Sequence, residues 1–245
     1  MGEKCMHKTL RGQAFWNSVS SDYSQGRTRH TKLILDPALL AVIGKVEGKK
    51  VLDVACGAGA LLNSLARRGA VCTGVDYAEE MIRVARRKAR KSDFKIDYRI
   101  MDARRLVDLP ADFDLAIISL LFPHLSKKKE ILSTLSGVAR VLKPGGRLVV
   151  AEPHPSFDYY IRRRLETRNF NYFSSGLKYA FEMRIGRKSL SSIAYHWTLQ
   201  DYSDALSKAG FLIERILEPN LLGKIRAKAH EQLNYPPYII LDCSR

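Results

Sequence analysis

"VLDVACGAGALLNSLARRGAVCTGVD", residues 51–76, decides how the chain folds. A short apolar run carries Asp53, a turn holding Gly57 and Gly59 follows, then a helical stretch, then a second apolar run ending at Asp76. A strand that feeds a helix through a glycine turn, with another strand beyond, is one unit of a parallel sheet. Ligands of such open sheets sit at the carboxyl ends of the strands. Glycines in that turn let backbone amides come close to a ligand and tolerate unusual backbone angles.

The sign of the charge around the turn narrows the ligand. The dinucleotide fingerprint G-x-G-x-x-G fails here, because its third glycine position is Leu62. Asp53 would repel a pyrophosphate but suits a cation. At about 4 Å and an effective dielectric near 20, one such pair is worth roughly 4 kcal/mol before desolvation. Asp76 lies 17 residues past Gly59 (76 − 59), where a carboxylate can accept both hydroxyls of a ribose. Adenosine joined to a cation points to S-adenosylmethionine.

Working outward, short β-branched runs alternate with amphipathic stretches. Strands are expected near 50–54, 71–75, 96–101, 113–119 and 146–151, with helices near 58–68, 78–91 and 127–142 between them. That alternation predicts a mostly parallel sheet covered on both faces. "KPGG" (143–146) reads as a helix stop and turn. Residues 13–47 read as helical and form an N-terminal cap over residues 1–47, with Pro37 at a helix start. Beyond the fifth strand the regularity breaks over residues 152–200, too long for an ordinary connection, so that stretch reads as a substrate-covering insertion. It is rich in Tyr, Phe and Trp, and part of it, around Gly186, has the pattern of a hairpin. A helix ending at Gly210 and two strands, 211–217 and 236–244, complete a single domain.

Composition sets limits. The 245 residues carry 41 Lys and Arg against 25 Asp and Glu, a net charge of +16. "RVARRKARK" (83–91) places Arg83, Arg87 and Lys91 along one helical row, which reads as a solvated face. Basic runs here lack the interleaved aromatics of a base-stacking platform, so nucleic acid is a disfavoured partner. No apolar run reaches the roughly 18 residues of a membrane span. With no apolar leader pattern at residues 1–13, a cytoplasmic location is expected. The four cysteines have no C-x-x-C spacing, so neither a disulfide framework nor a metal site is expected.

The motifs, taken in order, resemble the class I S-adenosylmethionine-dependent methyltransferases, in particular their small-molecule group. "VLDVACGAG" is similar to the family's first motif, with Ala55 where a glycine is usual; "CTGVD" resembles its second, "MDARRL" its third, and "FDLAIISLLFPHL" and "VLKPGGRLVVAEP" the later ones. The resemblance covers roughly residues 15–155 and 196–244. It implies a Rossmann-like, doubly wound α/β fold, with a seven-stranded sheet that is mostly parallel with one antiparallel strand. It also implies that Asp53, Ala55, Gly57, Gly59, Asp76, Tyr77, Asp102, Ala103 and Ser119 hold the cofactor. Asp76 would take the ribose, Asp102 the adenine amino group, and Tyr77 would border the adenine. Tyr23, in an aromatic N-terminal helix, would reach the cofactor's carboxylate end.

Methyl transfer from a sulfonium depends mainly on alignment, with a base wherever the acceptor must lose a proton. His124, His154 and His196 stand after the fourth strand, after the fifth, and where the insertion rejoins the core. Histidine suits the role because it titrates near neutrality. The aromatic insertion suits a planar or apolar small-molecule acceptor, and Arg162, Arg163, Arg164, Arg184 and Arg187 suit an anionic one. An RNA or protein methyltransferase docking through the basic surface is the rival reading. A non-enzymatic cofactor-binding module is a further rival, and a dehydrogenase a distant third, opposed by Leu62 and Asp53.

Overall fold

In the computed structural model, residues 12–25, 31–92, 94–156, 171–185, 188–220 and 236–245 are described. The strands are β1 (Lys50–Val54), β2 (Val71–Asp76), β3 (Ile96–Ile100), β4 (Phe113–Ser119), β5 (Leu142–Pro153), β6 (Lys178–Ile185), β7 (Lys188–Tyr195), β8 (Leu212–Leu217) and β9 (Tyr238–Ser244). The helices are α1 (Gly12–Gln25), α2 (Asp36–Ile43), α3 (Ala60–Ala66), α4 (Glu79–Ala89), α5 (Lys128–Val141) and α6 (Leu199–Lys208).

Seven strands form one sheet in the order β3-β2-β1-β4-β5-β9-β8. β1 pairs in parallel with β2 and β4, and β4 with β5, while β9 runs antiparallel to both β5 and β8. The doubly wound sheet with one reversed strand is therefore the fold the sequence leads one to expect. Its central strands are apolar on successive residues because both faces are covered. Leu52, Val54, Ala116, Ile118, Leu148 and Val150 pack under α5 and α6; Val51, Leu115, Ile117, Val149 and Ala151 pack under α2 and α3.

The helices follow from their apolar stripes and their ends. α4 buries Met81, Ile82, Val84 and Ala85, with Glu79 and Glu80 in its first turn and Arg86, Arg87 and Lys88 in its last. Both charge placements favour the helix dipole. α6 begins with a capping box in which Thr198 and Asp201 satisfy each other's backbone amides.

The fifth strand differs from expectation. β5 starts at Leu142, directly after α5, so the "KPGG" residues belong to the strand and not to a separate turn. Leu142 is buried and pairs with Phe113, while Arg147 pairs with Leu115. The extra residues between those two pairs are absorbed as a bulge, in which Gly145 takes φ +71°.

Beyond β5 the insertion supplies β6 and β7, a separate antiparallel pair with a register from Lys178↔Tyr195 to Ile185↔Lys188. This is the expected hairpin; Gly186 and Arg187 lie outside the described residues. Among the described residues no helix is long and apolar enough to cross a membrane.

Candidate active site

A cavity of about 520 Å³ opens at the carboxyl ends of β1, β2 and β4, within the range that holds small ligands. One half of its wall is sheet-borne and contains Ala55, Gly57, Asp76, Tyr77, Asp102, Ala103 and Ser119. The other half contains Trp16 of α1, His124, Tyr179 and Phe181 of β6, Ala194 of β7 and Tyr238 of β9.

In the first half, Asp76 organises the glycine turn. Its Oδ2 accepts from the Gly57 amide at 2.9 Å and its Oδ1 from the Ala78 amide at 2.8 Å. The Tyr77 amide also donates to this carboxylate, and with three amides bound about one acceptor position is left for a ligand hydroxyl. Burial raises the Asp76 carboxyl above its ordinary range, an effect that these backbone hydrogen bonds oppose. Gly57 has φ +53° and open space where a Cβ would stand, so a ligand can lie against its backbone. Ala55 occupies the usual glycine position at φ +63°, a left-handed conformation that strains any residue with a Cβ. The Ser119 hydroxyl is buried in the wall and meets no hydrogen-bond partner among the described residues.

Asp102 carries its own cation. The Arg104 guanidinium donates from Nε to Asp102 Oδ1 at 2.9 Å and from a terminal nitrogen to Oδ2 at 2.5 Å, and reaches Glu130 at 2.6 Å. Burial would raise the Asp102 carboxyl, but these bonds hold it below the usual value. Tyr77 has its hydroxyl pushed up to about 12 by burial and the nearby Asp76. Its carbonyl accepts from Gln13 at 2.6 Å, which ties α1 down beside the turn.

The second half is aromatic. The His124 ring meets Trp16 edge-on at 5.1 Å between centroids and Phe181 at 5.6 Å, and Phe15 meets Phe181 at 6.0 Å. Burial pushes the His124 imidazole down to about 4, and one ring N–H donates to the Ile193 carbonyl. At neutral pH the ring is therefore uncharged, and its other nitrogen is an acceptor. The Tyr238 hydroxyl lies 3.2 Å from the Thr31 hydroxyl, and both residues border the cavity.

Several expected site residues stand elsewhere. Asp53 is buried and does not line the cavity; its charge instead helps to raise the Cys56 and Cys72 thiols and the Tyr98 hydroxyl. Cys56 is held well above the ordinary thiol range by burial first and the two aspartates second, so it is inert. His154 is pinned outside the cavity. Its amide donates to the Pro237 carbonyl at 3.0 Å, its Nδ1 accepts from the Ser156 amide at 3.1 Å, and its Nε2 stands 3.0 Å from the Glu218 carboxylate. His196 is fully buried in the insertion, with Nε2 at 2.8 Å from the Tyr172 carbonyl. Neither histidine faces the ligand space, because each is drawn into the turn that carries it. The Tyr23 and Arg184 side chains, and residues 162–164 and 187, lie outside the described residues.

Gly59 also has a different task from the one expected. It caps α3 at φ +74°, and an added Cβ would stand 2.1 Å from the Tyr98 hydroxyl oxygen and 2.8 Å from its ring. The glycine makes room for Tyr98 beneath the turn. Gly59→Ala is expected to cost roughly 2–4 kcal/mol, from a left-handed Cβ plus overpacking. Thermal unfolding measures it, and Tyr98→Phe in the same chain should restore part of the loss.

Sequence reasoning did not single out Trp16, Arg104 or Glu152. Glu152 had a visible signal, a carboxylate closing an otherwise apolar strand in "RLVVAEP". It is fully buried, and its Oε1 accepts from the Leu121 amide at 2.9 Å and the Phe122 amide at 3.0 Å.

Comparison with known proteins finds methyltransferases. Residues 51–146 match a family model described as a methyltransferase domain. The chain is 43% identical over 102 residues to a ubiquinone biosynthesis O-methyltransferase of Idiomarina loihiensis, covering 41% of each chain. It is 32% identical over 152 residues to one from Coxiella burnetii, covering 61% of each. The match thus spans about two-fifths to three-fifths of the length of these curated relatives. Among solved structures, an S-adenosylmethionine-dependent methyltransferase from Mesorhizobium loti aligns with a TM-score of 0.64 at 24% identity, over 85% of this chain and 96% of that one. A magnesium protoporphyrin IX methyltransferase from Synechocystis, with S-adenosylhomocysteine bound, aligns with a TM-score of 0.63 at 20% identity, over 95% and 97%. These structural likenesses concern the fold.

Proposed function

We propose that the chain, whose residues 51–146 match a methyltransferase domain, is a class I S-adenosylmethionine-dependent methyltransferase that methylates a hydroxyl on a planar, largely apolar small molecule. The single observation that carries the acceptor side is an uncharged histidine, His124, set in an aromatic wall that continues the Asp76 half of the same cavity.

The chain's residues fit the cofactor. Asp76 offers a buried carboxylate with an acceptor position left for a ribose hydroxyl, Gly57 offers exposed backbone, and Ser119 offers a hydroxyl in the cavity wall. Asp102, oriented by Arg104, would take the adenine amino group, and Ala103 and Tyr77, which line the same cavity, would help to hold the base. When bound, the cofactor supplies an electrophilic methyl carbon on a positively charged sulfur.

The remaining work is alignment and proton removal. Trp16, Phe181 and Tyr238 offer flat faces that hold a planar acceptor and exclude water. His124 accepts a hydrogen bond from the acceptor hydroxyl and so orients its oxygen. The low basicity of the ring is no obstacle, since the hydroxyl proton becomes strongly acidic as the oxygen is alkylated. α1 and the β6–β7 pair act as caps over the site. The names of the curated relatives, which are O-methyltransferases, support an oxygen acceptor.

Methyl tracing tests this reading. Labelled cofactor incubated with hydroxylated aryl compounds, cellular RNA and cellular protein is expected to mark the small molecules. Label in RNA or protein would overturn the acceptor class. Absence of S-adenosylhomocysteine binding by calorimetry would overturn the cofactor assignment.

A further inference from the structure

The turn that carries His124 is strained and heavily braced. Leu120 has φ +59°, an unfavourable conformation for a residue with a side chain, and such strain persists only where the surroundings over-determine it. Here the Leu120 amide donates to the Ala151 carbonyl at 2.9 Å, and the next two amides, Leu121 and Phe122, both donate to Glu152 Oε1. On the outer side the Trp197 indole N–H donates to the Phe122 carbonyl at 3.0 Å. The His124 amide then closes a short 3-10 turn onto the Leu121 carbonyl at 2.9 Å. Leu120, Leu121, Pro123, His124 and Leu125 all border the cavity, whereas Glu152 does not.

We propose that Glu152 is a positioning residue, which holds the strained 120–124 turn through its two backbone hydrogen bonds and thereby sets the His124 ring against the acceptor space. The acceptor role of His124 is the reading this rests on. The other carboxyl oxygen, Oε2, is buried and meets no hydrogen-bond partner among the described residues. Burial accordingly pushes the carboxyl up to about 8, opposed by the two amide bonds. A neutral acid at this place would keep Oε1 as the acceptor of both amides and leave the proton to Oε2. Glutamine reproduces that shape and keeps the accepting oxygen; alanine removes it and leaves two buried amides unsatisfied.

Both tryptophans of the chain report on the turn, Trp197 through its bond to Phe122 and Trp16 through its contact with His124. In ¹H–¹⁵N and histidine ¹³C spectra, Glu152→Gln is expected to keep the Trp197 indole and His124 ring signals within line-width of the parent. Glu152→Ala should displace both, with S-adenosylhomocysteine affinity changed less than threefold. Glu152→Asp, one methylene short, gives the same displacement to a smaller degree and serves if the alanine variant does not fold. Unmoved signals in a folded alanine or aspartate variant would overturn the proposal. So would a glutamine variant displaced as far as the alanine one. If His124→Gln proves fully active while the Glu152 variants still move the turn, the histidine's chemical role fails and the brace stands.

Discussion

Replacing His124 with alanine is expected to lower turnover about a hundred-fold on the acceptor identified by methyl tracing, near the lower end of what a positioned base contributes. Cofactor affinity should change less than threefold, because the ring packs against Trp16 and Phe181 and takes no part in the hydrogen bonds that Asp76 makes to the glycine turn. Steady-state kinetics alongside calorimetry separates the two quantities. A pH dependence accompanies it. The folded imidazole titrates near 4, well below an unfolded histidine, so between about 6.5 and 4 the unfolded chain binds more protons than the folded one. The stability associated with the neutral ring is therefore present above that window and is lost on acidification through it. His124→Gln should flatten this part of the stability profile, and the acid limb of kcat in the parent should lie well below 6. A limb near 6.5 that persists in the glutamine variant would sink the assignment.

The second large effect is at Asp76. Asp76→Ala removes the expected ribose acceptor and also the partner of the Gly57 and Ala78 amides. Charged hydrogen bonds of this kind contribute about 1.5–3 kcal/mol each, so S-adenosylhomocysteine affinity should fall about a hundred-fold or more. The chain should still fold, since Asp76 lies at the end of β2 with the apolar core behind it. Calorimetry gives the affinity and thermal unfolding the stability; affinity within threefold of the parent would rule out the ribose role.

Legibility from sequence divides along physical lines. Local periodicity and turn chemistry are written in neighbouring residues, so β1 and β4 fall at the residues expected and α5 within a residue of them. The same holds for Ala55, Gly57, Asp76 and Tyr77, which share one cavity because consecutive strand ends of a parallel sheet must meet there. What could not be read is direction. Asp53 and Asp76 look alike in sequence, yet only Asp76 faces the cavity. His154 and His196 were equivalent to His124 until partners from elsewhere, Glu218 and the Tyr172 carbonyl, drew them into their own turns. The pairing of Thr31 with Tyr238 spans 207 positions and has no local trace. The bulge in β5 escaped notice because Gly145 and Gly146 serve a turn and a widened strand equally well.

The reversed strand has a consequence for how the chain reaches this state. β9 lies between β5 and β8, although all the other strands of the sheet precede it in synthesis. Among the described residues β8 has no neighbour in the sheet except β9. A nascent chain that has not yet released residues 238–244 must keep one flank of β5 open and β8 unanchored. Tyr238, the first residue of β9, also belongs to the ligand wall, so one late event finishes both the scaffold and the pocket.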